Sequence, residues 1–144
     1  MKTKPKVKIY TDGSSLGNPG DGGWGAILVQ GNHKKEMSGF APDTTNNRME
    51  VQAVISALKA LKKPCSVYLT SDSRYVLKSI STWMDNWEKK DWKGVKNTDL
   101  MKELNDLRKI HDIECHWIKG HTGHKENERC DVLAYSAAKK GIND

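Results

Sequence analysis

Four acidic residues, Asp12, Glu50, Asp72 and Asp131, stand where structure alone would not favour a charge. Asp12 ends an alternating segment, residues 6–12, that places Val7, Ile9 and Thr11 on one face and reads as a strand. Asp72 ends a second short strand, residues 66–71. If a crossover makes these strands parallel neighbours, both carboxylates emerge at carboxyl ends, the edge where open α/β sheets place ligands. Strands lie ~4.8 Å apart, so the two acids could share one cation. Glu50 lies four residues before Val54 and shares the apolar stripe of its helix. Asp131 precedes Ala134 and Ala138 on the inward side of the last helix. Acids gathered at one end of a core repel one another and suffer desolvation. A hard divalent cation with oxygen ligands resolves that conflict. Two such ions ~4 Å apart would clamp the attacking and leaving oxygens of a phosphodiester.

Each acid also has a local reading without chemistry. Asp12-Gly13 fits a turn, Glu50 a capping box with Asn47, Asp72 the N-cap of the next helix, and Asp131 a pair with Lys125 or with a solvent-side partner. Spacing and periodicity leave both readings open.

The elements that would position the acids follow from pattern. Residues 13–23, rich in Gly, Asn and Pro, read as a turn-forming loop. Residues 24–30 and 37–40 read as strands of a hairpin around Gly31-Asn32. Residues 47–61 read as a helix with Val54, Leu58 and Leu61 as its stripe, closed by Pro64. After the 66–71 strand come a short helix over 73–79, a helix over 99–110 carried by Leu100, Leu104 and Leu107, a strand over 113–119, a loop over 120–123 and a last helix over 126–140. The order predicts an antiparallel meander followed by two crossover units, in a mixed sheet covered by helices within a single domain over residues 1–144.

Composition bounds the partners. The charge of +6, from 24 basic and 18 acidic residues, becomes 24 against 14, or +10, once four acids are reserved for metal. Such a surface suits a polyanion, nucleic acid first. The longest aliphatic run, Ala26-Ile27-Leu28-Val29, is too short to span a bilayer, and the basic N-terminus leads into no apolar signal region. The expectation is a cytoplasmic monomer without membrane contact. Cys65, Cys115 and Cys130, odd in number and irregular in spacing, read as free thiols. Cys115, His116, His121, His124 and Cys130 could in principle form a zinc site, but no Cys-x-x-Cys pair is present, and Cys115 and His116 point to opposite faces of a strand.

The segments around the four acids carry a further signal. Thr11-Asp12-Gly13-Ser14, Leu16-Gly17-Asn18-Pro19-Gly20, Thr44-Thr45-Asn46-Asn47-Arg48-Met49-Glu50, Asp72-Ser73, Trp117-Ile118-Lys119-Gly120-His121 and Glu126-Asn127-Glu128-Arg129-Cys130-Asp131 follow one another in order. Together they resemble bacterial ribonuclease H of type 1 across nearly the whole chain. The Thr45–Glu50 segment separates this resemblance from integrase-like strand-transfer enzymes of the same fold. It implies an α/β, ribonuclease H-like fold: a five-stranded mixed sheet, three antiparallel strands then two parallel, flanked by helices. It implies hydrolysis of the RNA strand of an RNA–DNA hybrid with Mg²⁺ or Mn²⁺, two ions per site. Asp12, Glu50, Asp72 and Asp131 fall on the family's metal-binding positions, and His121 on a loop histidine that assists proton transfer or product release. Asn18, Asn46 and Asn47 fall among positions that touch the hybrid near its minor groove, and Thr45 and Asn97 on part of a DNA-phosphate pocket.

The sequence departs from the family pattern in two places. Asp43 stands where relatives often carry a basic residue, which weakens the expected phosphate pocket. The lysine-bearing loop after Trp92 is shorter than in some relatives. Trp83, Trp87 and Trp92 alternate with Lys89, Lys90, Lys93 and Lys96, giving a partly buried aromatic face and a basic ridge within reach of phosphates. Trp83 and the four lysines are therefore expected to join the substrate surface.

Overall fold

Strands β1 (Lys6–Ser15), β2 (Gly20–Gln30) and β3 (His33–Thr44) form an antiparallel meander. The β2–β3 turn is two residues long, and Gly31 supplies the positive φ of 58° that such a turn asks of its first residue. β4 (Ser66–Ser71) pairs with β1 in parallel, and β5 (Asp112–Trp117) pairs with β4 in parallel. The resulting order is β3-β2-β1-β4-β5, which realises the five-stranded mixed sheet, three antiparallel strands then two parallel, that the resemblance implied. The computed structural model describes residues 4–120 and 123–143.

The helices are α1 (Asn46–Lys59), α2 (Arg74–Lys78), α3 (Met84–Lys89), α4 (Thr98–Ile110) and α5 (Lys125–Asn143), with a π-helical turn, Ser79–Trp83, joining α2 to α3. α1 lies on β1 and β2, and α4 packs on α1. The core between them holds Val7, Ile9, Ala26, Leu28, Val51, Val54, Ile55, Leu58, Val67 and Leu69. α5 covers the other face of β1, β2 and β3. Successive strand residues point to opposite faces, so Ala26 and Leu28 face α1 while Gly23 and Gly25 face α5. A Cβ on Gly23 would stand 2.1 Å from the Ala134 carbonyl oxygen. Backbone meets backbone there, which seats the last helix tightly on the sheet.

The structure corrects several boundaries. Residues 13–23 are not one loop: β1 continues to Ser15 and β2 begins at Gly20. Their glycines mark close helix approach within strands, which composition alone does not distinguish from turns. β3 starts at His33, four residues before the apolar pattern shows it, because its leading residues Lys34, Lys35 and Glu36 are an exposed, charged edge. β5 is shorter than expected and stops at Trp117.

Candidate active site

Asp12 lies two residues beyond Tyr10, which pairs with Thr70, so it stands abreast of Asp72 where β1 and β4 run side by side. α1 brings Glu50 from the side. Its N-cap is Thr45, whose hydroxyl accepts from the Arg48 N–H at 3.2 Å. Glu50 is therefore in the second turn, facing the core, and is 5% exposed. One carboxylate oxygen from each of Asp12, Glu50 and Asp72 lies within 4.8 Å of the other two. Asp131, in the second turn of α5, meets Asp12 and lines the same small cavity, about 20 Å³, together with Asp72, Lys119 and Gly120.

The local alternatives fail on geometry. β1 runs straight through Asp12-Gly13. The N-cap of α1 is Thr45 rather than Asn47, and that of α2 is Ser73 rather than Asp72. No ion pair joins Asp131 to Lys125 among the described residues.

The electrostatics of the cluster are strained. Burial, then the charge of Asp72, pushes the Asp12 carboxyl up from its ordinary value near 3.8 to about 7. Burial and the adjacent Asp12 hold Glu50 well above the usual carboxylate range. The Glu50 Oε2 atom is buried without a hydrogen-bond partner among the described residues. An orphaned carboxylate oxygen beside two more carboxylates fits a hard divalent cation, whose charge reverses both penalties. The zinc alternative finds no such convergence, because Asp12–Glu50–Asp72 is the one metal-capable group among the described residues. Burial raises the Cys115 thiol to about 11, and His116 stacks on Tyr68 instead.

Away from the acids, Asn18, Thr45, Asn46, Asn47, Lys96 and Asn97 line a shared groove. The Asn46 N–H points at Asn18 Oδ1 at 3.4 Å, and Arg48, bound to Asp99, donates to Asn97 Oδ1 at 3.3 Å. Lys96, expected on the basic ridge, instead gives this groove a cation that Asp43 does not. Trp83, Trp87 and Trp92 form a half-buried chain of rings with centroids 5.8 and 6.3 Å apart. Lys89, Lys90 and Lys93 are exposed beside them. His121 lies outside the described residues. Two residues named in the sequence only as a zinc candidate and as part of a motif prove to be neighbours of the acids: His124, which lines the acidic cavity, and Trp117, whose indole N–H donates to the Asp72 carbonyl oxygen at 3.2 Å. Only contact, not residue type, singles them out.

The RNase H family model matches residues 4–139. A Ribonuclease H of Novosphingobium aromaticivorans is 55% identical over 137 residues, covering 92% of this chain and 96% of the relative. A Ribonuclease H of Acetivibrio thermocellus is 54% identical over 141 residues, covering 94% and 96%. This chain belongs to the RNase H family. Among solved structures it is similar to LC9-RNase H1, described as a type 1 RNase H with the type 2 active-site motif, at a TM-score of 0.90 and 30% identity over 97% of this chain and 75% of that one. LC11-RNase H1, solved in complex with an RNA/DNA hybrid, shares the RNase H fold at a TM-score of 0.73 and 23% identity, over 94% and 99%. RNase H enzymes are metal-dependent nucleases that cleave the RNA of RNA–DNA hybrids endonucleolytically, and the acidic cluster here is of the kind such chemistry requires. No helix among the described residues is long and apolar enough to cross a membrane.

Proposed function

We propose that this chain hydrolyses the RNA strand of RNA–DNA hybrids with two Mg²⁺ or Mn²⁺ ions, leaving 5′-phosphate and 3′-hydroxyl ends. The observation that carries the reading is the convergence of Asp12, Glu50 and Asp72 within 4.8 Å, with a buried, partnerless oxygen on Glu50. Asp12, Glu50, Asp72 and Asp131 would hold the ions, which supply Lewis-acid stabilisation of the phosphate and a more acidic water nucleophile. The remaining work falls to the chain's own side chains. Asn18, Thr45, Asn46, Asn47, Lys96 and Asn97 present short amides, a hydroxyl and a cation in one groove. Such groups can sense a 2′-hydroxyl or a phosphate without reading sequence, so cleavage should be only weakly sequence-dependent. Lys89, Lys90 and Lys93 attract the backbone from the ridge beside Trp83. His121, following Gly120 in the loop after β5, would move a proton at the leaving or attacking oxygen. Its replacement by alanine should lower turnover by about tenfold with little change in Tm.

The test is cleavage of matched duplexes with Mg²⁺ and with chelator. Only the RNA strand of the hybrid should be cut, only with metal, while double-stranded DNA and double-stranded RNA stay intact. Equal cutting of double-stranded RNA would overturn the reading.

A further inference from the structure

The chain has four arginines, and three hold carboxylates: Arg48 on Asp99, Arg108 on Asp85 and Arg129 on Glu36. Arg74 does not. It forms no ion pair among the described residues, and its guanidinium carbon stands over the Trp117 ring, 4.1 Å from the centroid. Trp117 is 43% exposed, and its indole N–H is bound to the Asp72 carbonyl oxygen. Arg74 is thus exposed, fixed by an aromatic face and one contact removed from the acidic cluster. A guanidinium stacked on a ring keeps its edge N–H groups free, and their fork geometry matches two oxygens of a phosphate. Stacking also limits the side-chain freedom lost on binding.

We propose that Arg74, held by Trp117, is a substrate-binding residue that grips a backbone phosphate flanking the scissile one on the strand being cut. The proposal rests on the hybrid-cleaving function above. The position carries the argument: Arg74 is the first residue of α2, two residues beyond Asp72, so with a reacting phosphate at Asp72 it would reach the neighbouring stretch of that strand. It would supply a cation where the acids leave the backbone least welcome. The competing role is purely structural, with Arg74 covering Trp117 and so steadying Asp72.

Binding and turnover separate the two roles. Binding of a fluorescent RNA–DNA hybrid, measured in EDTA across a salt series, should weaken about tenfold at low salt in Arg74→Ala. The slope of log K against log salt should become shallower by about one phosphate contact. With Mg²⁺, KM should rise while kcat stays within about twofold. Arg74→Lys should restore the salt slope and part of the affinity. A neutral methylphosphonate stepped along the cut strand should suppress wild-type cutting at a set of fixed offsets, one of which disappears in Arg74→Ala. An unchanged salt slope with reduced kcat would overturn the proposal in favour of the structural role, as would identical offsets in both proteins. If the wild type cuts no hybrid, the functional reading itself fails; if it cuts normally and only the slope and offsets are unchanged, Arg74 alone is misassigned.

Discussion

A Cβ on Gly13 would stand 2.4 Å from the backbone nitrogen of Glu50. The strand that carries Asp12 and the helix that carries Glu50 therefore touch through bare backbone, one residue from one of the two carboxylates. Gly13→Ala must push α1 away from β1, and a shift there moves Glu50 relative to Asp12 directly. The expected result is a loss of about 1–3 kcal/mol in denaturant unfolding. Turnover should fall by at least tenfold even in the fraction that remains folded, because catalytic carboxylates tolerate little displacement. Wild-type turnover in a folded Gly13→Ala protein would show that the contact sets stability only.

Removing single charges from the cluster should separate activity from stability. Asp12→Asn or Asp72→Asn should lower turnover on the order of a thousandfold, since the divalent site is dismantled. In metal-free buffer Asp12→Asn should keep or raise Tm, because a buried group that resists ionisation has been replaced by a neutral one of the same shape. Near-normal activity of either variant at low Mg²⁺ would remove that residue from the site.

The cluster also sets a pH dependence with a definite sign. Asp12 titrates near 3.8 when unperturbed and at about 7 in the folded protein, so between those values the folded state holds more protons than the unfolded chain. Its contribution to stability is full below about pH 4 and is lost as pH rises through about 7. Glu50 shifts in the same direction. In EDTA, Tm should accordingly fall between about pH 5 and about pH 8, and Mg²⁺ should raise Tm more at the upper pH than at the lower. Asp99, lowered to about 2 chiefly by its hydrogen bonds with Arg48, acts oppositely, but its contribution is lost only as pH falls from about 4 toward 2. A metal-free Tm that rises from pH 5 to pH 8 would contradict the burial-driven shift of Asp12.

The basic ridge predicts a change in affinity without a change in chemistry. Two nearby acids are already occupied from the flank, while Asp91 stays among the lysines: Glu88 accepts from Lys109 and Asn105, and Asp85 from Arg108. That leaves the exposed lysines less offset than their sequence neighbours suggest. Neutralising Lys89, Lys90, Lys93 and Lys96 together should raise KM about tenfold at low salt and flatten its salt dependence. Turnover at saturation should hardly move. Unchanged KM and salt slope would place the contact surface elsewhere.

What could be read in advance follows from what sequence encodes locally. The apolar stripe around Val54 and Leu58 and the alternation of Val7, Ile9 and Thr11 announced α1 and β1, and the order of elements announced the sheet. The four acids were noticeable as charges on inward faces, but whether they converge depended on the parallel pairing of β1 with β4, which no local pattern carries. The glycines of residues 13–23 misled because a Gly admitting a helix and a Gly making a turn look alike in sequence. The pairing of Arg74 with Trp117 was invisible for a related reason: an exposed arginine after a strand is ordinary until the tryptophan forty-three positions later is brought into contact.

The seating of α5 on the glycine face of β2 has a consequence for how the protein is made. The first three carboxylates belong to elements complete by residue 72, whereas Asp131 rides on the last helix. A nascent chain still held in the ribosome before residue 125 has emerged carries most of the cation-binding group but leaves one side of its meander bare. Such a chain, or a prematurely terminated one, lacks the Asp131 carboxylate that the proposed function requires and exposes the backbone trough that Ala134 and Ala138 would fill. On the proposed function, α5 therefore acts as a safety catch: nuclease activity would be armed only once this helix has emerged and docked on the meander.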